Sequence, residues 1–341
     1  MGLEQAWYRR SSWLKLLRPV ELLFRFLSAR RRQSYASGQK QSWTAPVPVI
    51  VVGNISVGGT GKSPLVVWLV EYLRAKGLKP GVISRGYGAN PPCTPYFVTS
   101  GSSASEAGDE PLMIVRRTGV PMVIAPDRVA AAKLLLEQTS CDLIISDDGL
   151  QHYALNRSIE IVVVDGSRGF ANGRCLPEGP LREPVERLDE VDLIVVNGTA
   201  APGLFSENQS KECGAKQFSM QLTSDFFVHV KRASHCPVDQ WTQRRQVDAI
   251  AGIGNPQRFA DTLTGLGFTP QLHRFPDHYR YKQEDLDFGE DSVLIMTEKD
   301  AVKCDHITLN NAWYLQVSAR LDESFSSRLD SLLKQTVSFG K

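Results

Sequence analysis

The chain has 341 residues, of which 42% are hydrophobic and 22% charged, and its net charge is +2. This is the composition of an ordinary folded protein, with room for one large or two modest domains. It excludes a nucleic-acid-binding polycation. The six cysteines are scattered with no CxxC pair, so neither a zinc site nor a disulfide framework is expected, and a reducing cytosol is the simplest compartment.

The charge is unevenly spread. Residues 1–40 carry Arg9, Arg10, Lys15, Arg18, Arg25, Arg30, Arg31, Arg32 and Lys40 against only Glu4 and Glu21. Trp7, Tyr8, Trp13, Leu16, Leu22, Leu23, Phe24, Phe26 and Leu27 are interleaved with them. No apolar run is long enough to span a bilayer. A cationic, aromatic-rich amphipathic segment suits the surface of an anionic membrane. Pro19 is expected to kink or break this helix into two pieces. The alternative is a helix packed on the domain with solvated arginines. The concentration of both basic and bulky apolar residues in one segment favours the membrane.

The next element carries the strongest chemical signal. Val47–Pro64 reads VPVIVVGNISVGGTGKSP: an apolar run, a glycine-rich turn, then Gly-Lys-Ser. The run predicts a buried parallel strand. Ser56, Val57, Gly58, Gly59, Thr60, Gly61, Lys62 and Ser63 form the candidate phosphate-binding loop. The glycines let backbone N–H groups approach phosphate oxygens closely. Lys62 adds a point charge, and the Ser63 hydroxyl can ligate Mg²⁺. Leu65–Lys76 has helical periodicity, so the phosphates would sit at a helix N-terminus. The loop departs from G-x-x-x-x-G-K-[ST], because Ser56 occupies the first glycine position.

Apolar runs then alternate with helical patterns as far as Asn197. Strands are expected at Pro80–Ser84, Tyr96–Thr99, Met122–Ala125, Leu143–Ser146, Ile159–Val164 and Leu193–Asn197, and helices at Glu110–Thr118 and Arg128–Gln138. This order implies a largely parallel sheet with helices on both faces and ligands at the carboxyl ends of its strands. Ser84-Arg85-Gly86-Tyr87-Gly88 follows one such strand. Asp109 begins a helix in Gly-Asp-Glu-Pro, where it can cap the helix and also accept a hydroxyl proton. Asp147 and Asp148 end the strand at Leu143–Ser146 and can hold Mg²⁺. His152, close behind them, is more naturally a structural residue. The proline-rich loop Leu176–Pro184 presents Arg182, which can offer a fork to a phosphate or simply face solvent.

Ala200–Cys213 is polar and loop-like, and Phe218–Val230 is a candidate β-linker. A second βα pattern follows: Val247–Ala251, a Gly-Ile-Gly-Asn-Pro turn, helix Gln257–Leu266, and strands Leu272–Phe275 and Val293–Thr297. Asp277-His278-Tyr279 lies in a loop between these last strands, where an Asp-His pair can tune an acid–base group. The chain ends in a helical pattern, Glu323–Gln335. The expected fold class is α/β: a P-loop NTPase-like, mostly parallel sheet domain, a second, smaller α/β domain joined by a β-linker, and an N-terminal amphipathic helix. The expected divisions are residues 1–40 (membrane-associating), 41–217 (core), 218–230 (linker), 231–320 (smaller domain) and 321–341 (a helix able to pack back on the core).

Eight segments in order carry a resemblance: GNISVGGTGKSP (Gly53–Pro64), SRGYG (Ser84–Gly88), GDEP (Gly108–Pro111), DDGLQH (Asp147–His152), LPEGPLREP (Leu176–Pro184), GIGNP (Gly252–Pro256), FPDHYRY (Phe275–Tyr281) and TEKDAVK (Thr297–Lys303). Together they closely resemble the tetraacyldisaccharide 4′-kinase family of lipid A biosynthesis, across nearly the whole chain. The resemblance implies ATP- and Mg²⁺-dependent transfer of a phosphoryl group to the 4′-hydroxyl of a tetraacylated glucosamine disaccharide 1-phosphate. It also implies a peripheral enzyme on the cytoplasmic face of the bacterial inner membrane, with no nucleic-acid partner; no protein partner is evident. In the family Asp109 is the base, assisted by His278; Asp147 and Asp148 serve the metal; Arg182 lies at the active site. The loop form with Ser56 is also the family's own. Leu150 stands where Phe is common, at a position with no catalytic role.

The main rival is a membrane-targeted regulatory P-loop ATPase. Those proteins carry an early lysine in the loop, where this chain has Val57. A GTPase would need N-K-x-D, and Asn197-Gly198-Thr199-Ala200 lacks both the Lys and the Asp. A structural membrane adaptor would have no use for Asp109, Asp147 and a phosphate loop together.

Overall fold

A computed structural model describes residues 2–205, 216–289 and 291–338. Most of the polar stretch Ala200–Cys213 lies outside the described residues. The fold is built on a sheet of thirteen described strands. In chain order these are β1 (Val49–Gly53), β2 (Pro80–Ser84), β3 (Tyr96–Val98), β4 (Met122–Ile124), β5 (Leu143–Asp147), β6 (Ile159–Asp165), β7 (Leu193–Asn197), β8 (Gln217–His229), β9 (His235–Pro237), β10 (Gln246–Ala251), β11 (Thr269–Arg274), β12 (Leu294–Thr297) and β13 (Ala312–Leu321). The spatial order is β11-β10-β12-β13-β8-β7-β6-β1-β5-β2-β4-β3, with β9 paired to β8.

The sheet is mostly parallel, as expected for strands linked by helices. Around β1 all pairings are parallel, and only the edge strand β3 runs antiparallel, on β4. β8 joins the two halves. Its first residues pair parallel with β7, and the rest pair antiparallel with β13. No strand was expected at β13, yet it closes the gap between β8 and the parallel group β12-β10-β11. One continuous sheet therefore runs through both parts of the chain.

The described helices are α1 (Leu3–Tyr8), α2 (Arg18–Ala36), α3 (Lys62–Ala75), α4 (Ala104–Ala107), α5 (Asp109–Thr118), α6 (Arg128–Gln138), α7 (Pro256–Gly265), α8 (Glu298–Ala301) and α9 (Glu323–Ser338). β1 is buried at every position, which fits its unbroken apolar sequence VIVVG. α3 buries Leu65, Val66, Leu69, Val70 and Leu73 beside α5 and α9. It starts at Lys62, earlier than its apolar periodicity suggests, because the left-handed Gly61 (φ 95°) ends the loop there. α9 folds over this layer: Phe325 is fully buried against Trp68 and Phe218, and Tyr72 Oη donates to Asp330 Oδ1 at 2.9 Å. A second apolar layer, including Ala131, Ala132 and Leu135 of α6, covers the opposite face.

The N-terminal segment corrects one expectation. Pro19 neither kinks nor breaks a helix; it sits in the first turn of α2, where its missing N–H costs nothing. The break lies earlier, at the left-handed Arg10 (φ 53°) and the 3₁₀ turn Ser12–Leu17. Ala6, Trp7 and Leu14 are buried against Val57, Ala171 and Leu176. Glu21 is the only buried residue of α2. Leu16, Val20, Leu23 and Leu27 recur at helical spacing and are all more than half exposed, with Phe26 beside them. No described helix is long and apolar enough to cross a membrane.

Candidate active site

β1 ends at Gly53, where a Cβ would approach Leu150 Cβ to 2.6 Å, so the loop leaves the sheet through a gap only glycine fits. From there the loop is tied to its neighbours. Val57 N–H donates to Pro180 O at 2.8 Å, and Arg182 N–H donates to Ile55 O at 2.6 Å. Asn197 Nδ2 donates to Thr60 O at 3.0 Å. Ser56 forms a β-bridge with Leu181. Gly58 (φ 102°) and Gly61 (φ 95°) supply the left-handed turns. The loop and the Leu176–Pro184 segment thus form one rigid unit.

That segment is also fastened to the N-terminal helices. Trp7 Nε1 donates to Pro177 O at 3.0 Å, and Arg18 Nε pairs with Glu178 at 2.5 Å. The exposed apolar face of α2 is therefore mounted directly on the frame of the phosphate loop.

Lys62 begins α3 with its Nζ 3.4 Å from Asp148 Oδ1. Arg182 Nη1 lies 3.0 and 3.1 Å from the two oxygens of the same carboxylate. Asp148 sits in the left-handed region (φ 48°), which turns its side chain out of the line of β5. Burial resists its ionisation, but Lys62 and Arg182 outweigh burial and hold its pKa at about 2. Asp147 behaves oppositely. Burial, with the charges of Glu110 and Asp148 added, raises it to about 6. Ser84 Oγ donates to its Oδ2 at 3.2 Å, while its buried Oδ1 has no partner among the described residues.

These donors fit a Mg²⁺–nucleotide and not a self-contained metal cage. Among the described residues no group of three or more His, Cys, Asp or Glu side chains could enclose an ion alone. Mg²⁺ typically takes one or two carboxylates and draws its other ligands from phosphates and water. The free Asp147 Oδ1, Asp148 and the Ser63 hydroxyl meet that requirement.

Asp109 is the first residue of α5, behind Gly108 (φ 83°), and it is buried. His278 reaches it from the loop after β11, with Nδ1 2.9 Å from Asp109 Oδ2. His278 is itself left-handed (φ 59°), its Nε2 lies 3.8 Å from Asp277, and its ring lies 5.3 Å from that of Tyr87. Hydrogen bonding to Asp109 raises the His278 pKa against the opposing effect of burial. Glu110, next to Asp109 on α5, feels the charges of Lys62 and Asp148, which favour and oppose its ionised form respectively.

Other side chains of this region carried no expectation of a role. Arg128 is almost wholly buried, donating to Ala125 O at 2.7 Å and reaching Asp147 O at 3.4 Å, and burial lowers its pKa to about 10. Lys299 pairs with Glu110, Arg117 with Glu298 at 3.1 Å, and Arg116 with Asp305 at 2.5 Å. All three join α5 to α8 and the chain just after it. Glu110, Glu298 and Lys299 fall within GDEP and TEKDAVK, but their pairing is not marked locally, because the partners are distant in the chain. His152 makes no catalytic contact among the described residues, and burial lowers its pKa to about 4, so it is neutral at pH 7.

The family model for tetraacyldisaccharide-1-P 4′-kinase matches residues 13–334. The chain belongs to this family. It is 47% identical to the tetraacyldisaccharide 4′-kinase of Pseudomonas putida (strain W619) over 330 residues, covering 97% of this chain and 95% of that one. To the enzyme of Azotobacter vinelandii it is 48% identical over 331 residues, covering 96% of each. Among solved structures, LpxK from Aquifex aeolicus in complex with ATP superposes with a TM-score of 0.79 at 29% identity, covering 94% of this chain and 98% of that one. The chain is therefore a kinase, and the reading as a regulatory ATPase is set aside.

The His278 shift has a defined sign. Its pKa is raised in the folded state, so the stabilisation from pairing is complete below the unfolded value of about 6.5 and fades as pH rises through the folded value. An NMR titration of the His278 imidazole should give a pKa above that of an exposed histidine. Asp109→Asn should lower it, and an unchanged titration would show that the two side chains do not interact in solution.

Proposed function

We propose that this kinase transfers the γ-phosphate of ATP to the 4′-hydroxyl of a tetraacylated glucosamine disaccharide 1-phosphate, with Asp109 as the proton acceptor. The observation that carries the reading is the 2.9 Å contact between His278 Nδ1 and Asp109 Oδ2 at the crevice of the phosphate loop. His278 occupies one oxygen of the carboxylate. Oδ1 has no hydrogen bond to protein among the described residues and is free for the acceptor hydroxyl. As the hydroxyl oxygen bonds to the γ-phosphorus, its proton passes to Asp109 and ADP leaves with the electrons of the broken P–O bond. His278 holds the carboxylate in place and balances its charge.

The loop from Ser56 to Ser63 holds the phosphates through backbone N–H groups and Lys62. Arg182 adds a cation beside Asp148, where phosphate charge would otherwise meet a bare carboxylate. Ser63, Asp147 and Asp148 would hold Mg²⁺, which neutralises phosphate charge when bound. Residues 41–217 and 231–320, joined through the linker 218–230, bring Asp109 and His278 to the crevice from opposite sides.

The acceptor is a lipid, and the exposed face of Leu16, Val20, Leu23 and Leu27 suits a peripheral position on an anionic surface. The cytoplasmic face of the bacterial inner membrane supplies both ATP and that surface. Because α2 is bolted to the loop bearing Arg182, docking would set the crevice at the height of the lipid headgroups.

Two experiments test this reading. With radiolabelled ATP and the disaccharide acceptor in detergent micelles, Asp109→Ala and His278→Ala should each lower kcat by about a hundredfold or more. The double variant should be little worse than the poorer single one, with the KM for ATP nearly unchanged. Strictly multiplicative losses would mean that the residues act independently. For the membrane, Leu16→Ser/Leu23→Ser/Leu27→Ser should weaken sedimentation with vesicles containing phosphatidylglycerol, and high salt should weaken binding of the unaltered chain. Binding indifferent to both would place α2 away from the bilayer.

A further inference from the structure

Lys303 is a buried ammonium that the reaction described above does not use. It follows α8, and its side chain is almost completely enclosed. Its Nζ lies 2.7 Å from Asp300 Oδ1, 5.0 Å from the centre of the Tyr281 ring and 3.9 Å from Asp109 Oδ2. An ammonium buried this deeply is strongly disfavoured unless it is compensated. Asp300 is its counter-charge, and that carboxylate is held in place by three further donors. Thr297 Oγ1 donates to its Oδ2 at 2.6 Å, Gly252 N–H donates to the same oxygen at 3.1 Å, and Tyr281 Oη donates to Oδ1 at 2.8 Å. These donors fill three of the roughly four acceptor sites of the carboxylate and fix its orientation towards Lys303.

The hub around Asp300 is also rigid. Its donors come from the end of β10, the end of β12 and the loop after β11. Gly252 admits no side chain there, because a Cβ would meet Tyr281 Oη at 2.7 Å and Asp300 Oδ1 at 3.0 Å. This hub fixes Lys303 from behind, and the ammonium faces Asp109 across the boundary between the two parts of the chain. Asp109 Oδ2 thus has two basic neighbours, His278 at 2.9 Å and Lys303 at 3.9 Å, while no hydrogen bond reaches Oδ1 among the described residues.

We infer that Lys303, anchored by Asp300, is a positioning residue for the Asp109–His278 pair: its ammonium, 3.9 Å from Oδ2, draws that side of the carboxylate by charge and leaves Oδ1 for the acceptor hydroxyl. The inference rests on the assignment of Asp109 as proton acceptor. Lys303 acts through Asp109. The other charged groups around the pair are Asp277 on the His278 loop, Glu110 on α5 and Lys299 on α8, with Lys299 committed to Glu110. Among the described residues Lys303 is the one cation besides His278 within 4 Å of Asp109.

The test is steady-state kinetics with ATP and the disaccharide acceptor in micelles, measured from acid to neutral pH. Lys303→Met should lower kcat by about tenfold to a hundredfold and leave the KM for ATP within a few-fold of normal. Removing a cation makes the pair easier to protonate, so the acid limb of kcat/KM should move to higher pH by about half a unit or more. Lys303→Arg should recover part of both effects. Lys303→Gln, which keeps the length and a polar end, serves if the Met variant fails to fold. In an Asp109→Asn background the same Lys303 substitution should cause no further loss of the residual rate. An inactive Asp109→Asn beside a Lys303→Met enzyme with normal kcat and normal acid limb would overturn the role of Lys303 alone. Near-normal turnover of Asp109→Asn would overturn the proton-acceptor assignment, and the inference with it. A lower kcat in Lys303→Met without any movement of the acid limb, undiminished in the Asp109→Asn background, would make Lys303 a structural residue.

Discussion

A charge taken out of water must be met by an opposite charge or by hydrogen bonds, and the crevice beyond β1 and β5 is organised around that constraint. Asp148 stays ionised because Lys62 and Arg182 both reach it. Asp147, one residue earlier, has no such partners and is pushed up to about 6. Two adjacent carboxylates therefore differ in character. One is locked into an ion-pair network, while the other keeps a free, buried oxygen. The loop that carries Arg182 is in turn held by Arg18 and Trp7, so the charge balance of the site extends to the N-terminal helices.

The same constraint governs the contact between the two parts of the chain. Glu110, Arg116 and Arg117 of α5 pair with Lys299, Asp305 and Glu298. Beneath these contacts the continuous sheet passes through β8 and β13, which pair over most of their length. Asp109 lies at the start of α5 and His278 on the opposite part, so their 2.9 Å contact spans the same boundary as this ionic seam. The proposed chemistry and the seam draw on neighbouring residues of α5.

Much of this was legible in the sequence where the signal is local. The apolar run of β1, the glycines and Gly-Lys-Ser lie within one short segment, so their order specifies strand, loop and helix together. Asp147 and Asp148 were readable for the same reason, as acids ending a buried strand. β13 was not, because AWYLQVSARL mixes buried Ala312, Leu315 and Ala319 with half-exposed positions and gives no clear period. The break ahead of Pro19 was misread because proline signals an end or a beginning equally well, and only the left-handed Arg10 decides between them. Lys303 and Asp300 were visible within TEKDAVK, but what they face is set by tertiary structure. The resemblance supplied the acceptor, which no residue pattern here could have named from charge and spacing alone.

The central claim is that Asp109 receives a proton and never a phosphoryl group. The stereochemistry of transfer tests it most directly. With a γ-thiophosphate analogue of ATP made chiral by oxygen isotopes, one direct in-line displacement by the acceptor hydroxyl inverts the configuration at phosphorus. Inversion is expected in the phosphorylated lipid. Retention would reveal two displacements through a phosphorylated side chain, with Asp109 or His278 acting as nucleophile, and would contradict it.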